Sequence, residues 1–275
     1  DFELFIMVSV LISVAVVPLL LSAGSPPKFH DAVRISLPAL YRLTPLGIVS
    51  LFAVGLVTAT FFALGPVYAQ RLGLGIREIS YFMTAAVIGT VLLQGPIGAL
   101  SDYFDRRLVL TVTTVLTSLA ALLCVPAAQI SNLALLMAVA LFGGLAFPLY
   151  SICIAYTNDH LEPEQMIAAS GAMVLVGGLG AVSGPLGLAM IMDTFGNQAF
   201  FWAIASVHAL TALFAIYRML RSAPVPLDRQ GRSYTTAVHP SGSAIDSVQQ
   251  YWSEETGIDL DENDERANES EAGKG

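Results

Sequence analysis

Charged residues along this chain fall in clusters, and the intervals between the clusters are long and oily. Charge-free stretches run over 4–27, 43–70, 79–101, 108–158, 165–192 and 194–217. An α-helix rises about 1.5 Å per residue, so about 20 apolar residues cross the roughly 30 Å of hydrocarbon in a bilayer. Five of the stretches fit one such helix each. The stretch 108–158 is too long for one span, and Pro126 followed by the polar run Gln129-Ile130-Ser131-Asn132 predicts a turn inside it. Splitting it there predicts seven transmembrane helices, at 3–24, 45–70, 78–100, 107–128, 132–157, 165–192 and 196–218. Membrane strands alternate over segments of about ten residues, much shorter than these runs. The expected fold class is therefore an all-α polytopic membrane protein.

Composition agrees. The 275 residues are 55% apolar and only 12% charged, about half the charge of an ordinary soluble chain, and the mean hydropathy is +0.68. The net charge of -8 is concentrated at one end, since ten acids between 246 and 275 face only Arg266 and Lys274. With no basic surface to displace counterions from phosphate, a nucleic-acid partner is not expected. Cys124 and Cys153 lie inside apolar runs and read as small hydrophobic fillers rather than a disulfide framework. The segment 219–275 reads as an acidic, disordered tail, within which Tyr251-Trp252 is a candidate docking point. Cations in the short connections set orientation. Lys28, Arg34, Arg42, Arg106, Arg107, Arg218 and Arg221 fall on one side against Arg71 and Arg77 on the other, which predicts an exterior N-terminus and a cytoplasmic tail. Asp1-Phe2-Glu3 supplies neither an initiator Met nor a basic leader, so the first helix is expected to be a cut through a longer protein rather than a secretory signal.

The connection between the third and fourth predicted helices reads Gly95-Pro96-Ile97-Gly98-Ala99-Leu100-Ser101-Asp102-Tyr103-Phe104-Asp105-Arg106-Arg107-Leu108. So few residues separate the spans that the hairpin must be tight. Gly98 removes a side chain where a neighbouring helix would pass. Asp102 stands at the water boundary, positioned to accept N–H bonds from another helix's N-terminus. Arg106 and Arg107 either pair with Asp102 and Asp105 or snorkel to lipid headgroups. Two readings are open: a loop that only sets orientation, or a latch that gates.

This hairpin resembles the cytoplasmic signature of the major facilitator superfamily, matching at Gly98, Asp102, Arg106 and Arg107. It departs at Tyr103, where the family often has a basic residue, and at Asp105, where it often has Gly. A second likeness lies in the sixth helix, where Gly180-Ala181-Val182-Ser183-Gly184-Pro185-Leu186-Gly187 is similar to the family's glycine and proline pattern. There Gly180, Gly184, Pro185 and Gly187 read either as small-residue packing or as a flexing helix that lines a central cavity.

The resemblance implies a twelve-helix plan of which this chain holds helices six to twelve. Residues 1–24 would end the absent N-terminal half. Segment 25–43 would be the cytoplasmic linker, with an amphipathic piece over 32–43 on the membrane surface, and 44–218 the C-terminal bundle. Partners then include the bilayer, the other half and a small-molecule substrate. The function implied is secondary transport by alternating access in a bacterial inner membrane.

No charge falls mid-span, and Glu78, Asp159, Glu162, Glu164 and Asp193 read as solvated boundary charges. Thr58, Phe61, Gln94, Phe147 and Tyr150 are the cavity candidates, with Thr60 and Phe62 beside them, each weighed against simple packing. His30, His160, His208 and His239 show no metal-ligand spacing, no triad or phosphate loop is present, and neither an enzyme nor a cofactor is expected. His208 reads as a hydrogen-bonded interior residue. The alternatives are a seven-helix receptor whose acidic tail binds a partner, and a half-size carrier that dimerises.

Overall fold

A computed structural model describes residues 2–21 and 35–221. The chain divides between Val33 and Arg34 into two units. The first contributes helix α1, Phe2–Leu21. The second unit contains α2 (Leu37–Leu43), α3 (Pro45–Arg71), α4 (Ile76–Tyr103), α5 (Arg106–Ile130), α6 (Asn132–Ala146), α7 (Leu149–Asn158), α8 (Pro163–Phe195) and α9 (Ala199–Arg221). Among the described residues there is no strand, and six segments are long and apolar enough to cross a membrane, α6 and α7 together forming one of them. The chain is an all-α polytopic membrane protein. Of the seven predicted helices, six are these segments, and α1 stands in the place of the seventh. Of the predicted tail, residues 219–221 belong to α9, while 222–275, with Tyr251-Trp252, and the linker residues 25–34 lie outside the described residues.

Local chemistry sets the helix ends. Asp105 caps α5, its carboxylate accepting from the Arg107 backbone N–H at 2.9 Å. Ser131 caps α6, its hydroxyl accepting from the Ala134 N–H at 3.1 Å, and each cap satisfies a donor that the helix itself leaves unpaired. Pro45 and Pro163 open α3 and α8, where a missing N–H costs nothing. Gly73 and Gly196 take φ of 84° and 83° in the α3–α4 turn and at the end of α8, a conformation that side chains resist. The turn predicted at 126–132 is real but lies at Ser131. Pro126 sits inside α5, which continues to Ile130.

One predicted helix is two. The span expected over 132–157 breaks at Phe147-Pro148 between α6 and α7. Pro148 cannot donate to the carbonyl one turn back, and Gly143 and Gly144 in that turn face α4 instead.

Close crossings hold the bundle together. A Cβ built on Gly180 would collide with the Phe52 carbonyl of α3, one on Gly184 with the Leu56 carbonyl, and one on Gly55 with the Gly177 carbonyl. Between α4 and α6 the same applies to Gly89 against Ala140 and to Gly143 against Ala86. Backbones approach this closely only where side chains are absent, and in lipid such packing, not water expulsion, drives helix association. The approach also brings polar groups together. Thr90 Oγ1 donates to the Gly143 carbonyl at 3.1 Å, and Ser118 Oγ on α5 donates to the Ala205 carbonyl on α9 at 2.8 Å. Phe61 is fully buried at the centre of an aromatic core with Phe82, Phe142 and Phe200.

Candidate functional site: a charged hairpin and a glycine-walled cavity

Only two residues, Phe104 and Asp105, separate α4 from α5, which starts at Arg106. Arg106 is 4% exposed. One guanidinium nitrogen, Nη1, donates to Asp159 Oδ1 at 2.7 Å and to the Ala155 carbonyl at 3.3 Å. The other, Nη2, donates to Asp102 Oδ1 at 3.0 Å. A single cation therefore ties its own hairpin to the C-terminal end of α7. The exposure of the partners is unequal: the Asp159 side chain is 5% exposed, that of Asp102 70%. The reading of Asp159 as a solvated boundary charge is corrected, because the break at Pro148 and the short α7 bring its carboxylate under Arg106.

Of the two fates open to the arginines, the structure selects pairing. Arg107, 7% exposed, meets Asp105 Oδ2 at 3.5 Å. Asp105, one of the two departures from the family signature, thus has two tasks, capping α5 and neutralising Arg107. Tyr103, the other departure, is 80% exposed. Asp102 accepts from Arg106 rather than from a helix N-terminus among the described residues. Gly98 is not a close-contact position here either, since a Cβ added to it meets nothing within 4 Å.

At the same end, Tyr156 lies within electrostatic reach of Arg107, Arg218, Asp105 and Asp159. His160 sits against it, ring centroids 4.6 Å apart, with Nδ1 2.9 Å from the Tyr156 carbonyl.

In α8 the glycines divide by face. Gly180 and Gly184 press on α3, while Gly187 faces open space. Pro185 is carried inside a helix that remains continuous from Pro163 to Phe195. Gly184 and Gly187 line a cavity of about 150 Å³ between α3, α8 and α9, together with Leu56, Thr60, Leu188 and Ile204.

The five residues predicted for a substrate cavity do not line this space. Phe61 is core packing, wholly enclosed by other rings. Phe147 is half-buried and stacks on Phe62 at 5.2 Å, and Thr58 is half-buried on α3. Gln94 and Tyr150 are exposed on the bundle surface. Gln94 belongs to α4, the least covered span, with 11% of its apolar window buried against 56% for α3 and for α5.

His208 is interior, at 1% exposure, but neither ring nitrogen has a hydrogen-bond partner, contrary to the expectation of a bonded histidine. What sequence reading missed was Asp159. Its only signal was its place at the end of a span, the same side as Arg106 in the predicted topology.

Fold and site together define a helical membrane protein whose hairpins are clamped by charge at one end. The Major Facilitator Superfamily profile matches residues 46–254, and the chain belongs to that superfamily. Among curated relatives, proteins described as "uncharacterized MFS-type transporter YcaD" from Escherichia coli O7:K1 (strain IAI39 / ExPEC) and Shigella sonnei (strain Ss046) are each 30% identical over 187 residues. That is 68% of this chain and 48% of each relative. The chain spans about half the length of the curated relatives it matches.

Proposed function

We propose that this chain supplies the C-terminal six-helix half of a secondary active transporter that moves a small solute by alternating access. The observation that carries the reading is the buried Arg106, which grips Asp102 on its own hairpin and Asp159 on α7 at once. Such a clamp has two discrete arrangements, made and broken, and rocking one helical bundle against another requires contacts of that kind. Its unequal burial fits the role: Asp159 anchors Arg106 permanently, while the exposed Asp102 is the releasable partner. The sparsely covered faces of α4 and α8 are the surfaces on which a second six-helix half, on the same polypeptide or another, would close around the solute.

The charged hairpin end faces the cytoplasm, as the excess of Arg and Lys on that side supports, and the N-terminus of the chain lies outside. The bacterial relatives named as MFS-type transporters support placement in an inner membrane. The receptor alternative draws no support from the family match or from the hairpin.

The test uses the transporter assembled from both halves. Gln94→Cys places a thiol on the open face of α4, where its reaction with a membrane-impermeant reagent reports which side has access; Cys124 and Cys153 are buried and remain silent. Asp102→Asn is expected to leave insertion intact, shift the thiol toward labelling from the cytoplasmic side and lower solute flux. Unchanged labelling and flux would remove the latch.

A further inference from the structure

Tyrosines exposed on a membrane bundle belong near its ends, where the ring meets lipid and the hydroxyl meets water. Tyr81, Tyr103 and Tyr217 obey, each within five residues of the end of a span. Tyr150 does not. It is 41% exposed and lies eight residues inside the span Asn132–Asn158, about 12 Å of helix. Its hydroxyl has no hydrogen-bond partner among the described residues. Gln94 repeats the pattern on α4, exposed and nine residues inside the span Ile76–Tyr103. Facing hydrocarbon, each would strand a polar group away from water. Both therefore face a space that lipid does not fill.

Two rings adjoin Tyr150. Phe147 lies one turn before it and accepts from the Tyr150 N–H at 3.3 Å through its carbonyl. Phe147 stacks in turn on Phe62 of α3, itself 46% exposed, with centroids 5.2 Å apart and planes at 22°. Beside Tyr150 runs α8, where a Cβ on Gly177 would sit 4.0 Å from Tyr150 Cε2. Because α3 packs on both α4 and α8, the two least covered spans, these rings stand on the face that a second half would close over. The span is interrupted at the same place, between α6 and α7, and interrupted spans mark solute sites in many transporters.

We propose that Phe62, Phe147 and Tyr150 form the solute-binding wall of this half and select an uncharged aromatic molecule carrying a hydrogen-bonding group. Its ring packs against Phe62 and Phe147, and its polar group pairs with the Tyr150 hydroxyl. This solute class rests on the transporter reading above. Exposed rings offer a flat partner the offset faces on which aromatic groups pair. No Asp, Glu, Lys or Arg lies within 43–70, 79–101 or 108–158, so the wall supplies no counter-ion. The negative ring faces repel an anion. They attract a cation, but by less than the cost of stripping its water.

The test uses the transporter assembled from both halves, in detergent, followed by saturation-transfer NMR. Four probes are compared: benzamide, its saturated counterpart cyclohexanecarboxamide, benzoate and benzylammonium. Benzamide is expected to bind saturably and about tenfold more tightly than each of the others, the fold-change of one aromatic pair. Phe62→Leu should weaken benzamide about tenfold and leave cyclohexanecarboxamide unchanged; Phe62→Met replaces it should that variant fail to fold. Tyr150→Phe should weaken both amides alike, about tenfold for one lost hydrogen bond. Trp202→Leu, which removes an exposed ring on α9, should change nothing. Benzoate or benzylammonium binding as tightly as benzamide would overturn the uncharged class. Equal losses from Trp202→Leu and Phe62→Leu would mean partition into the micelle and overturn the wall. The Gln94→Cys labelling separates this inference from the reading beneath it. A thiol that changes sides in a protein that binds no benzamide overturns the solute class and keeps transport, whereas benzamide binding with a thiol that never changes sides keeps the wall and overturns alternating access.

Discussion

The two ends of the bundle carry similar charges and use them differently. At the hairpin end, Arg106 and Asp159 meet at 2.7 Å with 5% of each side chain exposed. At the opposite end, Arg71 on α3 meets Asp193 on α8 at 2.9 Å, with 44% and 68% exposed. Glu78 there reaches only Asn132 and the Gly75 backbone N–H. The distances are nearly alike, but the surroundings are not. Water screens the exposed pair and competes for both partners, so such pairs contribute little. Around Arg106 and Asp159 helix ends have replaced most of the solvent, and the two charges are satisfied chiefly by each other, with the Ala155 carbonyl accepting from the same guanidinium nitrogen. Ion-pair distance alone therefore does not identify a structural clamp; burial together with a second partner does.

This contrast can be broken in order of expected effect. Asp159→Ala leaves the buried Arg106 with the exposed Asp102 as its charged partner and the neutral Ala155 carbonyl, and should cost about 3–5 kcal/mol, seen as a large fall in thermal midpoint in detergent. Pairing Asp159→Leu with Arg106→Met should recover much of that loss, because it removes the buried charges rather than stranding one. Gly180→Leu drives a side chain into the α3 backbone and should cost at least about 1–3 kcal/mol. It should also separate Arg71 from Asp193, which sit on the same two helices, while leaving the Arg106 clamp between α5 and α7 intact. A spin-label distance at each end checks that difference. Asp105→Ala removes the cap of α5 and should cost about 1 kcal/mol, measured as a smaller midpoint shift at the hairpin end. Smallest is Asp193→Ala, expected below about 1 kcal/mol and lost in high salt, whereas the loss caused by Asp159→Ala should be nearly independent of salt.

Much of the fold was legible beforehand, and the particular misses share a cause. Lengths of apolar sequence between charges placed the spans to within a few residues, because the bilayer imposes one length on every helix. Capping chemistry at Asp105 and Ser131 follows from residue type. The break at Pro148 was missed because Pro66, Pro96, Pro126 and Pro185 all sit inside helices that continue, so in this chain a proline does not by itself announce an end. Phe61 was left open between cavity and packing because an aromatic ring in an apolar span looks the same whether it faces a solute or other rings. Asp159 was undervalued for a related reason: it looks ordinary along the chain, and only its neighbours from distant segments give it significance.

By itself the sequence determined that the chain enters lipid, where its membrane spans begin and end to within a few residues, and which short hairpin concentrates the charge. Those are consequences of solvation and backbone bonding, which act locally. Tertiary structure alone decided which carboxylate Arg106 buries and which glycines touch a neighbouring backbone. In an all-apolar span every face carries the same kind of side chain, so inward and outward cannot be distinguished until the helices are packed.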